Sequence, residues 1–219
     1  MFRALIASVL LVTLAAEAQD AADDSNIPAS EPAQASFVNI ETSLGSFVIE
    51  LMPDKAPNSV ANFLNYVDSG FYDGTIFHRI IGSFVIQGGG FAPDFTKKPT
   101  LQPITNEADN MVSNGVGTLA MARTADPHSA TSQFYINVAD NIALNHTGKT
   151  NSRAWGYAVF ARVVSGMEVI EAIRTVPTGA GGPFPRDVPL APVTLIKATP
   201  MSAPPPAVAE TDPQPAAEG

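Results

Sequence analysis

Two polar side chains, Arg79 and Gln87, stand alone in the strongly apolar run 77–90, which three glycines close. A guanidinium stays charged throughout the physiological range, and setting it among buried neighbours is costly unless it meets a partner. One reading is an arginine neutralised by a nearby carboxylate. The other is an apolar groove whose few polar groups point at a ligand. A further such group, Gln133, sits beside Phe134 and Tyr135 in the run 132–138. On the second reading Arg79, Gln87 and Gln133 are the groove's hydrogen-bonding groups, and Phe84, Val85, Phe134 and Tyr135 are its apolar walls. Such a set can orient and polarise a bound molecule. It holds no group that attacks a substrate or exchanges a proton near neutrality.

Other chemistries find little support. The chain has no cysteine, which removes disulfides, thiolate nucleophiles and cysteine-based zinc sites. His78, His128 and His146 do not pair at ligand spacing with one another or with a suitable carboxylate, so no metal is expected. His78, beside Arg79 in a strand, reads as a structural hydrogen-bonder. Ser83, Ser129 and Ser132 have no evident base partner, and no nucleophile-elbow pattern is present. Gly88-Gly89-Gly90 lacks the lysine and the following helix of a phosphate loop; it reads as a bulge or a close backbone approach. Glu107 and Asp109 lie in a polar stretch and read as turn and surface residues. Asn145-His146-Thr147 matches a glycosylation acceptor, a three-residue pattern that carries no weight by itself. The list suits a reaction in which no covalent bond is made or broken.

The elements that must position these residues are short. Segments 76–79 and 84–87 read as strands joined by the turn residues Gly82 and Ser83. Further strands are expected at 37–41, 46–52, 117–122, 132–138, 156–164 and 192–199. Residues 57–68 form the clearest helix, with Pro57 in its first turn and Val60, Phe63, Leu64 and Val67 on one face. A second helix is expected over 167–174, with Val169, Ile170 and Ile173 on one face. Stretches 92–115 and 141–152 read as irregular loops, and the Gly- and Pro-rich 178–189 as a surface loop. Many short strands with two helices predict a mainly β fold: a closed eight-stranded antiparallel β-barrel capped by two α-helices.

Flanking this domain, 36–199, are segments of different character. Residues 1–18 have a positive start at Arg3, an apolar run and small residues at Ala16 and Ala18, the pattern of a signal peptide. Residues 19–35 read as a flexible leader and 200–219 as a disordered, Pro- and Ala-rich acidic tail. The net charge of −9 belongs mostly to these flanks, because 36–199 carries 13 acids against 11 bases. No basic stripe exists, which argues against nucleic acid as a partner. After cleavage of the signal no membrane association is expected, and the protein is expected to be periplasmic and monomeric.

Several segments resemble the cyclophilin-type peptidyl-prolyl cis-trans isomerases, above all the bacterial periplasmic members. They are Phe77-His78-Arg79-Ile80-Ile81, Phe84-Val85-Ile86-Gln87-Gly88-Gly89, Gly117-Thr118-Leu119-Ala120-Met121-Ala122-Arg123, Ser132-Gln133-Phe134-Tyr135-Ile136 and Tyr157-Ala158-Val159-Phe160. The resemblance implies the capped eight-stranded barrel, no cofactor, and proline-containing polypeptides as substrates. It implies that Arg79 and Gln87 are catalytic. Arg79 would donate a hydrogen bond to the proline nitrogen as amide resonance is lost, and Gln87 would hold the substrate backbone. Phe84, Val85, Tyr135 and Leu144 would form the proline pocket. The backbone of Ala122 and Arg123, with Gln133, would anchor the peptide, and Phe134 and Tyr157 complete the implied substrate-binding set.

Four positions depart from the family pattern. Val85 stands where methionine is usual, Tyr135 where phenylalanine is usual, Ala143 where tryptophan or phenylalanine is usual, and Tyr157 where many members have histidine. The aromatic missing at Ala143 implies weak cyclosporin binding. The hydroxyl of Tyr135 requires a partner or an exit to solvent. The altered pocket also leaves room for a chaperone module that binds proline segments with little turnover.

Overall fold

A hairpin opens the fold because alternating apolar residues on both sides of a tight turn bury one face. In the computed structural model, which describes residues 35–203, β1 (Phe37–Thr42) and β2 (Gly45–Leu51) pair antiparallel, with Ile40 opposite Phe47 and Val38 opposite Ile49. The signal segment, nearly all of the leader and most of the tail expected above lie outside the described residues.

Helix α1 (Pro57–Asp68) follows and buries Val60, Phe63, Leu64 and Val67, the face its periodicity predicts. Ala56 provides no side-chain cap for its first turn. That role falls to Glu107, far along the chain. Its Oε1 accepts from the Asn58 N–H at 2.9 Å and Nδ2 at 2.8 Å. Its Oε2 accepts from the Ser59 N–H at 2.8 Å and Oγ at 2.7 Å. Glu107 is thus a helix cap supplied by a loop, not the surface turn residue its neighbours suggest. The exposed first-turn donors of a helix favour just such an anion.

The chain then runs through β3 (Thr75–Ile76), β4 (Arg79–Ile81) and β5 (Val85–Gly88). After the long irregular stretch come β6 (Thr118–Met121), β7 (Phe134–Asn137), the one-turn helix α2 (Ser152–Trp155) and β8 (Val159–Ser165). Helix α3 (Met167–Arg174) buries Val169, Ile170 and Ile173 as expected. Strands β9 (Thr178–Gly181), β10 (Phe184–Pro189) and β11 (Thr194–Met201) complete the order.

The closed eight-stranded barrel is not what these strands build. Nine of them form one curled, open antiparallel sheet in the order β3-β11-β1-β2-β8-β6-β7-β5-β4. Its two edges come from neighbouring stretches of chain, β3 and β4, yet no ladder joins them. The reason lies at the strand ends. The expected strand 76–79 is interrupted at Phe77, whose N–H donates to the carbonyl of Val193 at 2.9 Å. Edges of two and three residues are too short to zip the sheet closed.

The expected surface loop 178–189 is also ordered, as a two-stranded sheet of β9 and β10. Its tight corner needs Gly182, at φ +49, where a Cβ would lie 2.3 Å from the Phe95 ring. Glycine and proline there serve a hairpin, not an irregular loop.

Two apolar clusters sit on opposite faces of the sheet. The larger lies under α1 and α3, where the Phe63 ring packs 5.2 Å from Tyr72, 5.6 Å from Phe134 and 5.1 Å from Phe160. The smaller is Val85, Ala120, Tyr135 and Val159, with Phe84, Ala122, Leu144 and Tyr157 half-buried around it. Alternation along β7 sends Phe134 to the first cluster and Tyr135 to the second. Among the described residues, no helix is long and apolar enough to cross a membrane.

Candidate active site

Arg79 begins β4 and stands directly opposite Gln87 of β5 in the antiparallel register. Directly opposed residues project to the same face, so the hairpin around Gly82 and Ser83 delivers both side chains to one place. One Arg79 Nη donates to Gln87 Oε1 at 3.4 Å, a long contact that leaves most of the guanidinium's hydrogen-bonding capacity unused. Gln87 Nε2 in turn donates to Gln133 Oε1 at 3.0 Å, which orients the Gln87 amide. None of the ion pairs among the described residues involves Arg79. The reading of a carboxylate-neutralised arginine therefore gives way to the groove.

The groove is a cavity of about 210 Å³ lined by Arg79, Phe84, Val85, Gln87, Ala122, Arg123, Tyr135, Leu144 and Tyr157. All the expected site residues line it except two. Gln133 lines an adjoining hollow. Phe134 is a correction: it is fully buried in the larger core, edge-on to Phe63, Tyr72 and Phe77, and turned away from the groove by strand alternation. The glycine run earns its place by close approach, since a Cβ on Gly90 would lie 2.5 Å from the Gln133 side chain.

The extra hydroxyl of Tyr135 does find a partner, donating to Asn114 Oδ1 at 2.8 Å. Burial, with Tyr157 close by, pushes that phenol well above its ordinary range and keeps it protonated. Asn114 is a residue sequence reasoning missed. It is fully buried, and its Nδ2 donates to the carbonyls of Leu144 and Tyr157, each at 3.3 Å, while Asn137 Nδ2 donates to its Oδ1 at 3.3 Å. One amide thereby ties three walls of the cavity together. Asn141 ties a fourth, its Nδ2 donating to the Phe84 carbonyl at 2.9 Å. Neither asparagine sits in a periodic pattern, and asparagine in an irregular stretch reads only as a turn residue.

Arg123 packs its guanidinium 4.4 Å from the Tyr157 ring centre. Nε donates to the Gly156 carbonyl at 3.0 Å, and the terminal nitrogens donate to Thr124 O, Ser152 Oγ and Ser152 O. The holder of this arginine is helix α2, which begins at Ser152, where the expected polar loop 141–152 ends, and was not expected from the sequence. Its signal was present: Asn151 caps the first turn, accepting from the Ala154 N–H at 3.0 Å, and Gly156 follows the last residue. The N–H of Ala122 is committed to the Gln133 carbonyl at 2.9 Å. Among the described residues the Ala122 carbonyl and the Arg123 N–H have no such backbone partner.

His78 is not the hydrogen-bonder its position suggests. It is buried between the rings of Phe91 and Phe184, at 4.7 and 5.4 Å, and its Nδ1 has no partner. Burial first, and the neighbouring Arg79 charge second, lower its pKa to about 4. The site is therefore a cationic donor, with Gln87 beside it, at the rim of an apolar cup.

A model of the family "Cyclophilin type peptidyl-prolyl cis-trans isomerase/CLD" matches residues 37–199. A peptidyl-prolyl cis-trans isomerase of Streptomyces antibioticus is 58% identical over 160 residues, 73% of this chain and 95% of that protein. Peptidyl-prolyl cis-trans isomerase B of Escherichia coli is 54% identical over 153 residues, 70% of this chain and 92% of that protein. A crystal structure of a Cryptosporidium parvum cyclophilin superposes with TM-score 0.65 at 26% identity, covering 78% of this chain and 99% of that one. The family match spans β1 to β11, and the chain belongs to the cyclophilin-type peptidyl-prolyl cis-trans isomerases.

Proposed function

We propose that this isomerase acts on X-Pro bonds of exported polypeptides as they fold, with Arg79 as the residue that lowers the barrier. The planar amide resists rotation by about 18–20 kcal/mol because resonance must be broken. As it breaks, the proline nitrogen becomes pyramidal and gains a lone pair. A guanidinium aimed at that nitrogen binds the twisted state better than the planar one, which is the condition for acceleration. Gln87, its amide oriented by Gln133, holds the substrate carbonyl beside the rotating bond. Phe84, Val85, Tyr135 and Leu144 receive the proline ring, and Ala122 and Arg123 offer backbone groups to the flanking chain. Export rests on the signal-like residues 1–18, and a periplasmic, monomeric protein is the corresponding reading.

The observation that carries the assignment is an arginine at the cavity rim with no carboxylate partner among the described residues. The test is isomerisation of an X-Pro peptide by the protein and by Arg79→Ala. Loss of one donor aimed at a transition state costs about 10²–10³-fold in kcat. The same loss is expected here, with KM little changed. Equal rates for the two proteins would refute the role.

A further inference from the structure

The proline cavity continues into a second hollow of about 140 Å³, walled by Lys97, Thr124, Ser129, Thr131 and Gln133; the two share Gln87, Ala122 and Arg123. Three cations thus line one groove, Arg79, Arg123 and Lys97, and no carboxylate lines either part. None of the three is in an ion pair among the described residues. The domain as a whole is slightly acidic, so the sign of the groove is not inherited from the molecule.

The three cations differ in what they can still bind. Arg123 is occupied by the carbonyls of Gly156, Thr124 and Ser152. Arg79 stands at the proline cavity. Lys97 is exposed, and its backbone is pinned by a bridge to Phe91. The nearest acids in sequence are turned to their own loops: Asp94 accepts from the Thr96 N–H at 2.9 Å, and Asp126 accepts from the His128 N–H at 2.9 Å.

Building on the isomerase reading above, we infer that the second hollow selects proline segments carrying an acidic side chain close to the proline, with Lys97 as the specificity-determining residue. An extended chain rises about 3.3 Å per residue, so a hollow adjoining the proline cavity meets a side chain within about three residues of it. A carboxylate there gains the Lys97 ammonium and the polar wall of Thr131 and Gln133. A lysine at the same place meets two cations and no carboxylate. Because the contact forms before the bond rotates, it belongs to substrate binding and acts on KM.

The test is a scan of single-proline peptides with one Glu, or its neutral counterpart Gln, at each of the three positions on either side of the proline. Isomerisation is followed by exchange NMR with the full-length protein, Lys97→Gln and Lys97→Glu. An exposed ion pair of this kind is worth about two- to fivefold. At one position, kcat/KM for the Glu peptide is expected to exceed that for Gln by this factor. The ratio should fall to one in Lys97→Gln, invert in Lys97→Glu, and shrink at about 0.5 M salt. Equal rates for Glu and Gln at every position, or a Glu preference that survives Lys97→Gln, would overturn the inference. Absence of turnover with every peptide would overturn the isomerase reading itself, and this selectivity with it.

Discussion

His78 is a basic side chain held neutral one position from Arg79. Its pKa falls from an ordinary 6.5 to about 4 in the fold. The unfolded chain therefore binds the extra proton between these values, and the stability tied to the neutral ring is complete above about pH 6.5 and lost as pH falls towards 4. The full effect is roughly 3 kcal/mol. His78→Phe keeps the packing against Phe91 and Phe184 and removes the proton. The stability difference between the two proteins, measured by urea unfolding, is expected to move steadily in favour of the variant from about pH 6.5 down to pH 4. A difference independent of pH would refute the assignment. The rate, by contrast, is expected to be flat between about pH 6 and 8, because neither Arg79 nor the buried Tyr135 phenol changes charge there. A bell-shaped profile would mean that another acid or base takes part.

The irregular stretch between β5 and β6 carries two devices that join distant elements. Glu107 caps α1, and Asn114 ties Tyr135, Leu144 and Tyr157. Removing a helix cap costs about 0.5–2 kcal/mol. Glu107→Ala is expected at the upper end of that range, since one carboxylate satisfies two backbone and two side-chain donors; thermal unfolding reads it. Asn114→Ala leaves every lining side chain in place but frees the carbonyls that anchor them. The expected result is a severalfold rise in KM with kcat nearly unchanged, because proline binding suffers and the Arg79 contact does not. Steady-state kinetics separates the two parameters. A fall in kcat with KM unchanged would contradict the positioning role.

At the level of the molecule, the sheet has two uses. One face packs α1 and α3 into the core, and the other carries the groove. Phe134 and Tyr135 are adjacent in β7 yet belong to different faces. Phe134→Ala is expected to cost about 3–5 kcal/mol in stability, as for other large buried aromatics. At a temperature where the variant remains folded, its kcat/KM is expected to stay within severalfold of the parent. A large loss of activity with little loss of stability would place Phe134 in the groove after all.

Resemblance to the family supplied Ala122, Arg123, Leu144 and Tyr157, whereas the residue pattern by itself determined both helices longer than one turn, most of the strands, and the groove groups Arg79, Gln87, Phe84, Val85 and Tyr135. These follow from short-range physics: a 3.6-residue period, alternation along a strand, and the cost of a lone arginine among apolar neighbours. It also carried the Gly88–Gly90 close approach, because a missing side chain is visible without knowing what comes near. Only the tertiary structure decided the rest. Whether the sheet closes depends on which strand ends meet, and Phe77 pairs with Val193 across more than a hundred residues. The face to which Phe134 turns depends on the register of β7 against β5 and β6. The roles of Glu107 and Asn114 are hydrogen bonds to partners tens of residues away, and no local pattern records such a bond. The absence of a carboxylate partner for Arg79 is likewise a fact of three dimensions, since it depends on where the acidic side chains lie.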